Sequence, residues 1–495
     1  MLSIVSLITF ITFLIEIKKI NSQQIEIPLK LVNTSYSKYP TPKKIFINKK
    51  SLININNNSF NNFQKSFLSD SQTTLSCNID ILYSLLFGAE IEIGSNNQKF
   101  NVILDTGSQI LWVPEINSNT SNKLIQNYYN PKQSKTSRNT EQPFEIYYGT
   151  GYCKGYFYQD YIKFLHTEKY SIFFGSANNS IFDVDGAEGI MGLAQTYQNY
   201  LLSPILTLKK NGIIKKSSFS FKYDDKKDQL FFYVGKPHSD FNSKNVGFCN
   251  LLSNTHYEKM LWACELKNFG LIKNKTNIND EQNVFVQTNI SVILDTGTNV
   301  MILPNYIVYL LEEKLRKFNC VIGSTSEDGF GSETSFIVCF DIYNIPDISL
   351  QFGDYALILN KYKMFFIIEL DLGIIGYLLN IYFQKNNNIA IIGQNFFTEF
   401  HTLFDPEEKV LKFYSEYSDK VINIKKKDLN EDNNTSSSGI IFFFIVLIIL
   451  AIVYLYYRNQ KKEEMKNNFE WMENNNQMNS KYNNIISRND YKEMV

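Results

Sequence analysis

The chain has 495 residues, 44% of them hydrophobic, which is enough for two or three domains and too apolar for a disordered protein. Its 49 basic and 49 acidic side chains cancel, so no global field draws it to an anionic surface and no nucleic-acid partner is expected. The four histidines form no His-Glu-x-x-His run and the six cysteines no Cys-x-x-Cys pair, which argues against a zinc hydrolase. No metal and no cofactor are expected.

In chain order, Met1 to Ile15 is an apolar run too short to span a bilayer comfortably, and it reads as the core of a signal peptide over residues 1–22. Residues 23–75 are rich in Asn, Lys and Ser and read as a pro-segment or linker. From Leu82 to Tyr414, short runs rich in Ile, Val, Phe and Tyr alternate with Gly, Asn, Pro and Asp. Strands are predicted at Ala89 to Ile93, Phe100 to Leu104, Glu145 to Tyr148 and Ser291 to Leu294. Helical periodicity is convincing at Tyr306 to Phe318, where Ile307, Leu310, Leu311 and Leu315 share a face. The body is therefore mainly β.

A polar stalk is expected over residues 421–438, with Lys425 to Lys427 and the Asn/Ser run Asn433 to Ser438 inside it. Gly439 to Tyr457 is close to the ~20 apolar residues that a membrane-spanning helix requires, and Tyr454, Tyr456 and Tyr457 form an aromatic rim. Arg458, Lys461 and Lys462 follow, which assigns residues 458–495 to the cytosol and the main body to the lumen or exterior. That compartment is oxidising, so Cys77, Cys153, Cys249, Cys264, Cys320 and Cys339 can all pair. Asn-x-Ser/Thr acceptors at Asn33, Asn57, Asn119, Asn178, Asn274, Asn289, Asn433 and Asn434 agree with this topology.

One duplication stands out. Val102-Ile103-Leu104-Asp105-Thr106-Gly107-Ser108 recurs as Val292-Ile293-Leu294-Asp295-Thr296-Gly297-Thr298, and each copy runs on to apolar residues and a proline, Leu111 to Pro114 and Met301 to Pro304. So long a period implies two domain-sized halves rather than a solenoid. An apolar strand ending in Asp-Thr-Gly-Ser/Thr sets a carboxylate at the end of a buried strand. Glycine allows the close turn, and a hydroxyl is available to bond the carboxylate. Two such carboxyls facing each other share a proton, so one can act as general base on a water while its protonated partner hydrogen-bonds a peptide carbonyl. A single Asp-Thr-Gly is an ordinary turn; two copies with matching flanks are not an accident of composition.

On these motifs the chain resembles the pepsin-like aspartic proteases, over roughly Leu85 to Tyr414. The resemblance implies an all-β, bilobal fold with a central cleft, plus the C-terminal transmembrane helix read above. The N-terminal lobe is then 76–222 and the C-terminal lobe 223–420. It implies Asp105 and Asp295 as the catalytic dyad, supported by Thr106, Gly107, Ser108, Thr296, Gly297 and Thr298. Tyr148-Gly149-Thr150-Gly151 matches the family's flap tip, with the Tyr148 phenol pairing to Trp112, and Ile103 and Ile190 are expected in substrate pockets. Ile190 to Leu193 and Ile391 to Gly393 match the apolar segments past which each catalytic strand threads, and Phe396 to Phe413 looks like the closing strands.

Cys320 and Cys339 fall where the family has a second-lobe disulfide, Cys249 with Cys264 can bridge neighbouring strands, and Cys153 pairs with Cys77 or stays free. Glu188 and Gln394 depart from the acidic residues usual at their positions, an aspartate in the first case. Ile25 to Lys30 resembles the opening of the family's propeptides, and Lys43, Lys44, Lys49 and Lys50 follow, which implies a zymogen. The expected function is aspartic-type endopeptidase activity on protein or peptide substrates, by a monomer anchored through one helix in an endosome, lysosome-like vacuole or cell surface. The alternative is an inactive pepsin-like binding protein, against which both motifs are intact.

Overall fold

In the computed structural model, the described residues are 84–424 and the strands Ile25–Thr34, Lys44–Asn48 and Thr74–Asn78. Interruptions fall at 123–124, 149–150, 165–166, 183–186, 196–202, 225, 227–228, 276, 278–279, 326–333, 342, 371–373 and 386–389. The signal peptide, the transmembrane segment and the cytosolic tail lie outside the described residues.

The predicted strands fall inside Ser84–Ile93, Gln98–Asp105, Arg138–Tyr148 and Val284–Leu294, and the fold is the bilobal all-β one. The described strands hydrogen-bond into a 13-stranded and a 14-stranded sheet. In the first, Gln98–Asp105 lies between the antiparallel Ser84–Ile93 and the parallel Gly189–Gly192. In the second, Val284–Leu294 runs antiparallel to Ala263–Ile272 and parallel to Ala390–Ile392. The sequence duplication is thus matched by a duplicated arrangement: an apolar strand held by a short parallel neighbour, with every residue of Gly189–Gly192 and Ala390–Ile392 buried. Strands buried on both faces read as continuous apolar runs, which is why Val102-Ile103-Leu104 and Val292-Ile293-Leu294 do not alternate.

The first sheet does not stop at the first lobe. It continues through Gln229–Val234, Phe219–Asp224, His401–Asp405 and Val410–Tyr414, so that strands from far along the chain extend it. The core here is aromatic. Phe219 stacks on Phe404 with ring centroids 4.8 Å apart, and Trp262 meets both rings edge-on at 5.5 and 5.2 Å. Buried aromatic pairs of this kind add about 0.5–1.5 kcal/mol each beyond their area.

Several expectations change. The helix is Tyr306–Leu315, and it buries Ile307, Val308, Leu311 and Leu315, while Leu310 is 57% exposed. Positions 307, 308, 311 and 315 fall within a stripe about 100° wide on a 3.6-residue helix, and position 310 falls about 60° outside it. Within the expected stalk, Val421–Asn423 is instead an edge strand beside Tyr355–Leu359. Strands also lie within the segment 23–75. Ile25–Thr34 pairs first with Gln229–Val234 and then with Ser84–Ile93. Lys44–Asn48 pairs with Thr74–Asn78 and with Cys320–Thr325 of the second sheet.

The disulfides Cys249–Cys264 and Cys320–Cys339 are present. A Cys77–Cys153 bridge is not: Cys153 is a free, buried thiol in the first sheet, whereas the strand carrying Cys77 belongs to the second.

Truncation of Leu311 to Ala is expected to cost about 2–5 kcal/mol, as for other large-to-small core changes. Leu310→Ala, at a site with no core contact to lose, is expected to stay within ~0.5 kcal/mol. Urea unfolding of the two variants checks this assignment of the helix face.

Candidate active site

Asp105 ends its strand and is 1% exposed; Asp295 follows its strand and is 2% exposed. Burial of two carboxyls is costly unless hydrogen bonds compensate it. Each Asp accepts from the amide of its own motif's glycine, Gly107 N–H to Asp105 Oδ1 and Gly297 N–H to Asp295 Oδ1, both at 2.9 Å. The Thr298 hydroxyl donates to Asp295 Oδ2 at 2.7 Å. The matched Ser108 hydroxyl differs, having no hydrogen-bond partner among the described residues.

The motifs face each other. A Cβ on Gly107 would lie 2.5 Å from Asp295 Oδ1, and one on Gly297 would collide with the Asp105 carboxylate. Glycine is required at both positions for this close approach, since any side chain would occupy the space of the opposing carboxyl. Beneath them the threonines interlock. The Thr106 amide donates to Thr296 Oγ1 at 3.0 Å and the Thr296 amide to Thr106 Oγ1 at 2.9 Å. Each hydroxyl then donates across to the other strand, Thr106 to Leu294 O at 2.8 Å and Thr296 to Leu104 O at 2.7 Å. Both threonines are fully buried. The supporting residues expected from sequence are thus brought together, with Ser108 the exception in its hydroxyl contact.

The hairpin Arg138–Tyr148 and Gly151–Phe164 carries Tyr148, whose phenol oxygen accepts from Trp112 Nε1–H at 2.8 Å. Gly149 and Thr150 lie outside the described residues. Under the hairpin, Ile103, Trp112, Ile190 and Cys153 pack in one buried cluster. Burial pushes the Cys153 thiol well above its ordinary range, a shift partly offset by Tyr148, so it stays a protonated, apolar filler.

A cavity of about 320 Å³ opens beside Asp295, walled by Gln109, Ile110, Ile146, Tyr257, Met260 and Leu261 among others. Ile103 and Ile190 are not in its wall. At 2% and 4% exposure they support it from beneath, in the buried cluster against which the wall residues Ile110 and Ile146 pack. Tyr257 and Met260 come from the short helix His256–Met260 and were not singled out from sequence. The capping box that starts the helix, Thr255 with Glu258, is a readable signal for it.

The two departures from the expected pattern have structural roles. Glu188 accepts from the Asn101 amide of the Asp105 strand at 2.6 Å and from Asn127 Nδ2 at 3.0 Å. Burial raises its carboxyl above the ordinary glutamate range, and those hydrogen bonds offset part of the rise. Gln394 holds the second motif: its Nε2 donates to Thr296 O at 2.9 Å and its amide to Thr298 O at 2.8 Å.

Comparison with known proteins adds the following. A sequence profile of the eukaryotic aspartyl protease family matches residues 86–415. The vacuolar aspartic protease of Candida albicans is 24% identical over 338 residues, which cover 65% of this chain and 73% of that protein. Aspartic proteinase yapsin-3 of Saccharomyces cerevisiae is 27% identical over 343 residues, 64% of each chain. Candidapepsin of Candida tropicalis is 25% identical over 346 residues, 66% of this chain and 77% of that protein.

Thr296→Ala removes one buried hydroxyl and leaves Leu104 O and Thr106 N–H without partners. It is expected to cost at least about 1–3 kcal/mol in thermal unfolding, with Thr296→Ser close to wild type. The raised Glu188 carboxyl contributes its stability in full below the ordinary glutamate pKa and loses it as pH rises through the folded-state value. The stability of wild type relative to Glu188→Gln is therefore expected to be greater at pH 4 than at pH 7, read from urea midpoints at the two pH values.

Proposed function

This chain belongs to the eukaryotic aspartyl protease family, and from that premise we propose that it is an active endopeptidase whose Asp105 and Asp295 carboxyls together activate a water against a peptide bond. The observation that carries the reading is the reciprocal Thr106–Thr296 lock with a buried carboxyl on each side of it. Held face to face with little solvent, two carboxyls share one proton. The ionised member takes a proton from the water as it attacks the carbonyl carbon. The protonated member donates a hydrogen bond to the carbonyl oxygen and later assists departure of the amine.

Because the donors to both carboxyls are backbone amides and a fixed hydroxyl, the site needs little reorganisation as charge moves. Tyr148 closes over bound substrate from the flap, and Trp112 fixes its phenol. The apolar wall of Ile110, Ile146, Met260 and Leu261 favours hydrophobic side chains beside the cleaved bond.

The rest of the chain fits a secretory-pathway enzyme. In this proposal residues 1–22 are a signal peptide, 23–75 a pro-segment, and 439–457 a membrane anchor that keeps a monomeric body on the luminal or extracellular side. Basic residues of the pro-segment pair with carboxylates until acid protonates them. Vacuolar aspartic protease and yapsin-3 are the relatives' names, and they favour a vacuole-like compartment or the cell surface here too.

The test is cleavage of a denatured protein by the full-length chain in detergent, from acid to neutral pH, with and without acid pretreatment. Asp105→Asn is expected to lose activity by about a thousandfold, and a peptide mimic of the tetrahedral intermediate should block the wild type. Activity that survives Asp105→Asn removes the dyad reading. No activity under any condition leaves the inactive binding protein as the better account.

A further inference from the structure

Far along the chain from both motifs, three side chains converge that the proposed reaction does not use. His238 caps the short 3-10 helix Ser239–Asn242, which carries Asp240, and His401 begins the strand His401–Asp405. Asp240 lies between the two imidazoles: its Oδ1 is 3.1 Å from His238 Nδ1 and its Oδ2 is 2.9 Å from His401 Nδ1. One donor atom from each residue lies within 4.8 Å of the others. The spacing 238, 240, 401 has no motif, so the sequence gives no hint of the cluster.

We propose that His238, Asp240 and His401 form a binding site for a divalent transition metal of the zinc type. Two imidazole nitrogens and a carboxylate are a donor set for such an ion. Zn–N and Zn–O distances of about 2.0–2.2 Å require the donors, now within 4.8 Å of one another, to close around the ion to the ~3.3 Å separations of a tetrahedral site. The outer contacts suit it as well. His401 Nε2 lies 2.9 Å from Ser220 Oγ, so when Nδ1 binds the ion the ring proton sits on Nε2 and donates to Ser220, which fixes the tautomer. Aromatic rings wall the site: Phe241 lies 4.4 Å from the His401 ring and Tyr233 lies 4.7 Å from that of His238.

Two groups oppose the ion: the Asp240 amide, which donates to His238 Nδ1 at 3.3 Å, and the Lys222 ammonium. Lys222 Nζ is 2.7 Å from Asp240 Oδ2 and at present serves as the cation there. Burial pushes the Asp240 carboxyl up, but the hydrogen bonds from His401 and Lys222 outweigh this and hold it below the usual carboxylate range. The Lys222 side chain is 19% exposed, so it can turn to water when a divalent ion takes its place, at a cost in affinity. The lysine is therefore a competitor whose removal tightens binding. A bound ion would tie the 3-10 helix to the sheet shared by the lobes, independently of the dyad.

The experiment is titration of the full-length protein in detergent with Zn²⁺ alone, by calorimetry and by thermal unfolding, with Mg²⁺ in parallel. At about 100 times the dissociation constant, Zn²⁺ is expected to raise the wild-type midpoint by a few degrees, ~3–5 °C. Mg²⁺, which prefers oxygen donors, is expected to do nothing. His238→Ala should weaken Zn²⁺ binding at least about tenfold, the order of loss when a metal-site partner is removed, and Lys222→Met should tighten it. Wild type without saturable Zn²⁺ binding overturns the proposal, as does binding undiminished in His238→Ala, an equal response to Mg²⁺, or weaker binding in Lys222→Met.

Discussion

Everything at the candidate active site rests on one buried contact, the exchange of hydrogen bonds between Thr106 and Thr296. Four backbone groups on two strands from separate halves of the chain are satisfied by two hydroxyls. Inside a protein such groups are expensive to leave unpaired, so the crossing holds only one arrangement of the two strand ends. The facing glycines are the corollary. They let each carboxyl come to rest against the opposite backbone, and no other residue type leaves that space.

The layers behind the crossing are chosen to keep it still. Glu188 clamps the Asp105 strand to its short parallel neighbour, and Gln394 clamps two carbonyls of the second motif. Trp262 reaches between the halves, its Nε1–H donating to Leu193 O at 2.9 Å while its ring packs on Phe219 and Phe404. The side of the hairpin that carries Tyr148 is different in character. Tyr148 accepts a hydrogen bond from Trp112 over an apolar cluster rather than over a buried polar network.

What the sequence made legible was whatever repeats or alternates. The doubled Asp-Thr-Gly run identified both strand ends and their partners, and the β character followed from short apolar runs between turn residues. What it hid was whatever depends on side-chain depth. Ile103 and Ile190 are adjacent to site residues yet sit beneath the pocket wall, because both are packed into the buried cluster with Trp112 and Phe144. Leu310 and Val308 exchange places for a similar reason, a shift of one position around a helix that apolar content alone does not resolve. The convergence of His238, Asp240 and His401 was invisible for want of any local spacing.

The long first sheet also bears on how the molecule is made. Ile25–Leu29 is zipped to Leu230–Val234, and Phe219–Phe221 to Thr402–Phe404, so a single sheet is stitched from the beginning, middle and end of the body. A duplicated sequence invites the picture of two beads that fold one after the other as they leave the ribosome. Interleaving on this scale denies it: the first bead has strand partners that have not yet been synthesised. Folding is then dominated by contacts of high sequence separation, which places it at the slow end of the range and leaves unpaired edges open for longer. Chaperones and early disulfide closure are accordingly part of what this architecture demands of the compartment in which it is assembled.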